Sequence, residues 1–238
     1  IEICANSYQS AYNAAIAEAD RIELCSELEV GGITPSYGLI KQVAENLTIP
    51  FFVLIRPRSG NFIYSENEFE IMKKDIEISK GLGCSGIVSG ILKENNTIDI
   101  ERTKELIAVS KPLPFTFHRA FDWAVDPFKT MIILAELGVC NILTSGQKPT
   151  AFEGIDLLRQ LKEKANDKIT IMPGGGINEQ NIISFKNAGF TEIHFSATKL
   201  TQDSNTVKVP TNSVRFFNET QTVISDKDKI IKIINLVK

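Results

Sequence analysis

A chain of 238 residues is long for a small sandwich, short for two full domains, and close to the ~250 residues of one barrel built from eight strand–helix units. Its 43% hydrophobic and 23% charged residues describe an ordinary soluble globular protein and exclude a disordered one. A net charge of −3 with no basic run argues against a nucleic-acid partner, and the lack of a long apolar run argues against a membrane span. Nothing at the start reads as a signal peptide, so the expected location is cytoplasmic.

Residues 1–6 alternate as a short strand, and Ser7 caps a helix through residues 11–18. Residues 21–25 form the second strand; after Gly31-Gly32, the pair Thr34-Pro35 sets a capping residue before a proline at the first helical position. Residues 51–57 are the third strand, and Ser65-Glu66-Asn67-Glu68 is a capping box that opens a helix to about Lys80. Strands at 86–92, 114–120, 141–146, 169–173 and 192–197 then alternate with helical patterns near 99–110, 127–137, 152–164 and 178–188. An apolar stripe over 229–237 supplies the last helix. Eight such units predict an α/β fold, a single (β/α)8 TIM-barrel domain over residues 1–238. No GxGxxG follows the first strand, so no nucleotide cofactor is expected. Residues 198–223 read as a long loop or lid.

Period-two alternation assigns the strand faces. Ile1, Ile3 and Ala5 face the helices, which turns Glu2, Cys4 and Asn6 inward; the same rule turns Arg21, Glu23, Cys25, Arg56, Thr116, His118, Glu192, His194 and Ser196 inward. Buried charge must pair, bind or meet water. Glu2, Arg21 and Glu23 lie early on their strands, where an internal ion-pair network is the simpler reading; Arg56, His118 and Ser196 lie late, where barrel active sites form. His118 is a candidate acid/base, with Arg119 and Asp122 beside it, and Asp126 already caps the next helix. His194 reads as a hydrogen-bonded interior residue.

Gly174, Gly175 and Gly176 follow the seventh strand, with Asn178 as the expected cap of a helix behind them. Together with Arg56, Arg119 and Ser196 they form a candidate clamp for a small anionic ligand. Glu23 is the candidate partner acid of His118. These sites would suit an enzyme acting on a small phosphorylated or carboxylated, sugar-like compound, an alternative to metal binding by the cysteines; a non-catalytic scaffold is the weaker third reading. Cys4 and Cys25 face inward on adjacent strands, and soft thiolates select Cu(I). Residues on neighbouring strands belong to different layers, which counts against a shared ion. Cys84 and Cys140 precede strands at the opposite face.

The stretches Ile1-Glu2-Ile3-Cys4, Asp20-Arg21-Ile22-Glu23-Leu24-Cys25, Gly31-Gly32-Ile33-Thr34-Pro35-Ser36, Ile55-Arg56-Pro57-Arg58, Thr116-Phe117-His118-Arg119-Ala120-Phe121-Asp122, Leu143-Thr144-Ser145-Gly146 and Met172-Pro173-Gly174-Gly175-Gly176-Ile177 together resemble the CutC copper-homeostasis family over roughly residues 1–200. The resemblance implies a (β/α)8 barrel, a homo-oligomer, a link to copper homeostasis, and Cu(I) as the bound ion with Cys4 and Cys25 as its ligands. One departure is Asn61, where members commonly carry Asp.

Overall fold

The alternation closes as a barrel in the computed structural model, which describes residues 1–202, 209 and 221–238. Its parallel strands are β1 (Glu2–Ala5), β2 (Arg21–Leu24), β3 (Phe51–Leu54), β4 (Gly86–Ser89), β5 (Phe115–Phe117), β6 (Asn141–Thr144), β7 (Thr170–Pro173) and β8 (His194–Phe195). They pair in the order β7-β6-β5-β4-β3-β2-β1-β8. A parallel bridge between Gly174 and His194 joins the two ends of that ladder.

Around the strands lie α1 (Tyr8–Ile16), α2 (Tyr37–Asn46), α3 (Glu66–Gly81), α4 (Ile100–Ser110), α5 (Pro127–Glu136), α6 (Ile155–Ala165), α7 (Ile182–Asn187) and α8 (Lys227–Val237). Side chains of Ser7, Ser36, Ser65, Asp99, Asp126 and Asp226 each accept an N–H of the first turn they cap, satisfying donors that a helix start leaves open. The capping box at Ser65 and Glu68 is present in full.

Two helix starts differ from the sequence reading. The second helix is capped by Ser36 and not Thr34, because the Thr34 hydroxyl accepts the Arg56 N–H at 2.9 Å. The seventh begins at Ile182 and not near Asn178: Asn178 and Asn181 both bond back to the Gly176 carbonyl and hold residues 178–181 in a turn. The strands also end earlier than their apolar runs, most clearly β5. His118 leaves the sheet there, and a 3-10 turn runs from Arg119 to Trp123.

The alternation of faces is as the sequence predicts. Ile3, Ala5, Ile22, Leu24, Val53 and Ile55 pack outward against helix residues such as Ile40, Leu106, Leu134 and Phe185 in one continuous core. Each such Leu, Ile or Phe contributes about 1.5–3 kcal/mol when fully buried. Inside the barrel a smaller apolar group, Cys4, Cys25, Phe52, Leu54 and Val88, stands apart from that core.

The flanks of the expected loop or lid pair as an antiparallel ribbon, β9 (Thr198–Gln202) with β10 (Gln221–Ser225), separate from the barrel sheet. Asn6 and Asn13 donate to carbonyls of β10, and Ser225 Oγ donates to the Cys4 carbonyl at 3.1 Å, which tethers the ribbon to β1. The stretch between the two strands, 203–208 and 210–220, lies outside the described residues. No described helix is long and apolar enough to cross a membrane.

Candidate functional site

Register stacks charge inside the barrel. Parallel pairing sets Glu2 opposite both Arg21 and His194, and Cys4 opposite Glu23. Glu2, only 1% exposed, accepts from Arg21 Nε and meets His194 Nδ1 at 2.7 Å. Arg21 Nη2 continues to Glu192, which also accepts from Asn141 Nδ2 at 2.8 Å. Of the early-strand charges, Glu2 and Arg21 thus pair with each other, while Glu23 stands outside the network. Burial acts to raise the Glu2 pKa, but the hydrogen bond and charge of His194, then Arg21, hold it below the usual carboxylate value. Burial acts to lower His194, but Cys4, Glu2 and Glu23 hold the imidazole well above its ordinary value.

Beyond this layer, toward the C-terminal strand ends, lies a cavity of about 250 Å³. It gathers most of the predicted site. Cys4 and Glu23 line it from within the strands; Arg56, His118, Arg119, Gly175, Gly176 and Ser196 line it from their ends. Cys25, Asp122 and Gly174 stand behind its wall.

Cys4 and Cys25 do meet, and the layer argument against them is corrected: their sulfurs lie 3.6 Å apart. Cys25 falls one residue past the end of β2, where the layering of strand residues no longer fixes the side chain's height. Glu23 Oε1 is 3.8 Å from Cys4 Sγ, and donor atoms of Cys4, Glu23 and His194 all lie within 4.8 Å of one another. The hydrogen bond with Cys25, then burial, pushes the Cys4 thiol well above its usual pKa. Burial is the first cause that moves Glu23 up to about 7, and its Oε2 has no partner among the described residues. Cys84 is buried and Cys140 exposed, both far along the chain from this cluster.

Arg56, 5% exposed, is a strut more than a fork: Nη1 donates to the carbonyls of Val30 and Gly32, and Nη2 to that of Gly60, each at 2.8 Å. Its charge still borders the cavity, and its guanidinium lies 5.0 Å from the Phe62 ring centroid. His118 sits across Phe62, with ring centroids 4.9 Å apart. Its Nδ1 accepts the Ala120 N–H at 3.2 Å, which places the ring proton on Nε2, an atom enclosed without a partner among the described residues. Burial, then the Arg56 charge, lowers the His118 pKa to about 3. The sequence assigned it acid/base work; burial keeps the ring neutral near pH 7, and in that form Nε2–H is a hydrogen-bond donor.

An unfolded histidine titrates near 6.5, so between that value and about 3 the unfolded chain binds one more proton than the native one. The contribution is fully present above pH 6.5 and is lost as pH falls, by about 1.4 kcal/mol per pH unit. Urea unfolding between about pH 6 and 4 should therefore show a shallower acid loss in His118→Phe than in wild type. Parallel slopes would refute the neutral assignment.

Asp122 is a clasp. Its carboxylate accepts from Arg119 Nε, Thr144 Oγ1, both Ser145 N and Oγ, and Gln147 N, fastening the turn after β5 to the loop after β6. Arg119 is thereby held at Nε by Asp122 and at Nη2 by Ser145 Oγ, 2.7 Å away. Its Nη1 lies over Gly175, where an added Cβ would come within 3.1 Å of it. Gly175 and Gly176 adopt φ of 110° and 71°, while Gly174 is needed for closeness: its Cβ would fall 2.4 Å from Leu143 Cδ1.

The residues that the sequence did not single out are Ser145, which orients Arg119, and Phe62, wedged between Arg56 and His118. Phe62 lies in a loop, where face alternation is silent, and Ser145, inside the predicted strand 141–146, falls just past the end of β6. His194 was placed inside correctly, but its neighbourhood with Cys4 follows from barrel closure.

The model of the CutC family matches residues 1–199. The chain is 47% identical over 205 residues to the Homo sapiens copper homeostasis protein cutC homolog, covering 86% of this chain and 75% of that one. To the family protein CutC of Pasteurella multocida it is 46% identical over 197 residues, covering 82% and 81%. A CutC structure from Streptococcus agalactiae superposes with a TM-score of 0.77 at 37% identity, over 82% of this chain and 97% of that one. An aldolase with a TM-score of 0.63 and 17% identity, over 82% and 89%, shares the fold alone.

Proposed function

The chain belongs to the CutC family, and from that footing we propose that it binds Cu(I) inside the barrel through the thiolates of Cys4 and Cys25, with His194 as a neighbouring nitrogen donor. The observation that carries this is the 3.6 Å sulfur contact, beside a ring nitrogen and a carboxylate. Two thiolates and an imidazole form a soft donor set that favours Cu(I) over hard cations. Glu2 engages His194 Nδ1, the outer-shell carboxylate that commonly orients a ligating histidine. The cluster is buried, and on binding Cu(I) Cys4 and the imidazolium of His194 would each release the proton they otherwise keep.

An anaerobic Cu(I) titration against a chromophoric chelator tests this. Wild type should withhold one equivalent from the chelator, and Cys4→Ser/Cys25→Ser should withhold none. The same stoichiometry and affinity in both proteins would remove the site.

A further inference from the structure

We propose that the opposite wall of the same cavity is an oxyanion site for a small phosphorylated or carboxylated compound. Arg119, over Gly175 and near Ser196, takes the anion, and His118 Nε2–H donates to an adjacent carbonyl or hydroxyl oxygen of the same molecule. This goes beyond the copper reading and does not depend on it.

The guanidinium groups of Arg56 and Arg119 border the cavity at the strand ends, on the side away from Glu23, and this local positive charge favours an anion there. The two play different parts. Both Nη atoms of Arg56 donate to loop carbonyls and its Nε is sealed in the protein, so it supplies charge. Arg119 is locked along one edge by Asp122 and Ser145, and among the described residues its Nη1 has no hydrogen-bond partner. A guanidinium held on one edge and open on the other is preorganised for a carboxylate or phosphate oxygen. Gly175 is what lets that open edge lie against the loop, because any Cβ there would crowd Nη1.

The second observation is independent of charge. His118 is 5% exposed and borders the cavity, while its Nε2 is sealed without a protein partner among the described residues, so a ligand in the cavity reaches that atom once the ring or the neighbouring Phe62 shifts. A donor so enclosed calls for an acceptor, and leaving it unmet costs about 1–3 kcal/mol. A bare inorganic anion answers only Arg119. A compound with an oxygen beyond its anionic group answers both, and a cavity below the about 300–1,000 Å³ that drug-sized ligands occupy limits it to a small metabolite.

The chain's one tryptophan, Trp123, is a built-in reporter: it is half exposed and lies edge-on to Phe62 with ring centroids 5.1 Å apart. Its fluorescence is followed while inorganic phosphate, acetate, glycerol 3-phosphate or glycolate is added at constant ionic strength. At least one pair, phosphate with its glycerol ester or acetate with glycolate, should saturate, and which pair does so identifies the anion. The larger member should bind more tightly, and His118→Phe should erase that advantage. Arg119→Gln should weaken the anion about tenfold or more, the loss of one charge-assisted hydrogen bond, while Cu(I) stoichiometry stays at the wild-type value. Gly175→Ala, which displaces the guanidinium without removing it, should weaken the anion in the same direction and covers the case in which Arg119→Gln unfolds. No saturable response from any of the four compounds, or wild-type affinity in both variants, overturns the proposal. Persistence of the size advantage in His118→Phe overturns the part given to His118.

Discussion

Replacing Glu2 by alanine is expected to destabilise the fold by about 3–5 kcal/mol, the loss typical of breaking a buried charge pair from one side. Glu2 is 1% exposed and is the acceptor shared by Arg21 and His194. Without it two cationic groups face each other inside the barrel. Arg21 keeps Glu192 as a second partner and some contact with water, which sets the expectation toward the lower end of that range. Glu2→Gln preserves shape and one acceptor oxygen and should fall between wild type and Glu2→Ala. The stabilisation from Glu2 is present above the unfolded carboxylate pKa and is lost as pH falls through its lower folded value, so the two proteins should converge in acid. Urea unfolding at neutral and acid pH measures both statements, and a neutral-pH loss under 1 kcal/mol would mean that the cluster is not held by charge.

Asp122→Ala is expected to remove about 3 kcal/mol or more, because several donors converge on one carboxylate and each orphaned buried donor costs about 1–3 kcal/mol where water does not reach it. The donors come from both sides of the clasp, Arg119 from one turn and Thr144, Ser145 and Gln147 from the other. Asp122→Asn keeps the oxygen that Thr144, Ser145 N and Gln147 N share but turns an amide N–H toward Arg119, so it should fall between wild type and Asp122→Ala. Chemical denaturation of the two variants checks this, and wild-type stability in Asp122→Ala would show that the clasp is unnecessary.

The parts of the fold legible in the sequence were those governed by local repeat. Ile3 and Ala5 against Glu2 and Cys4 is a period-two pattern, and it placed the inward residues of the site before any tertiary contact was known. The clasp was not legible, because Asp122 finds its partners in a loop more than twenty residues away, and nothing near it in sequence announces them. The closeness of Cys4 and Cys25 was hidden for a different reason: it depends on a residue just outside a strand, where pleat geometry stops being a guide. The shift of a helix cap from Thr34 to Ser36 shows the same limit at smaller scale, since a distant N–H claimed the hydroxyl that local pattern favoured.

The barrel is fastened unevenly. Seven neighbouring strand pairs share ladders, whereas β7 and β8 meet through the bridge of Gly174 and His194. A hoop with one thin joint loosens there first, and the regions that open most readily in a native protein are those with the fewest shared hydrogen bonds. In this barrel the joint runs alongside the cavity: His194 is on one side of it, and Gly175 follows Gly174 on the other. A molecule lodged in that cavity would therefore act as a rivet across the joint.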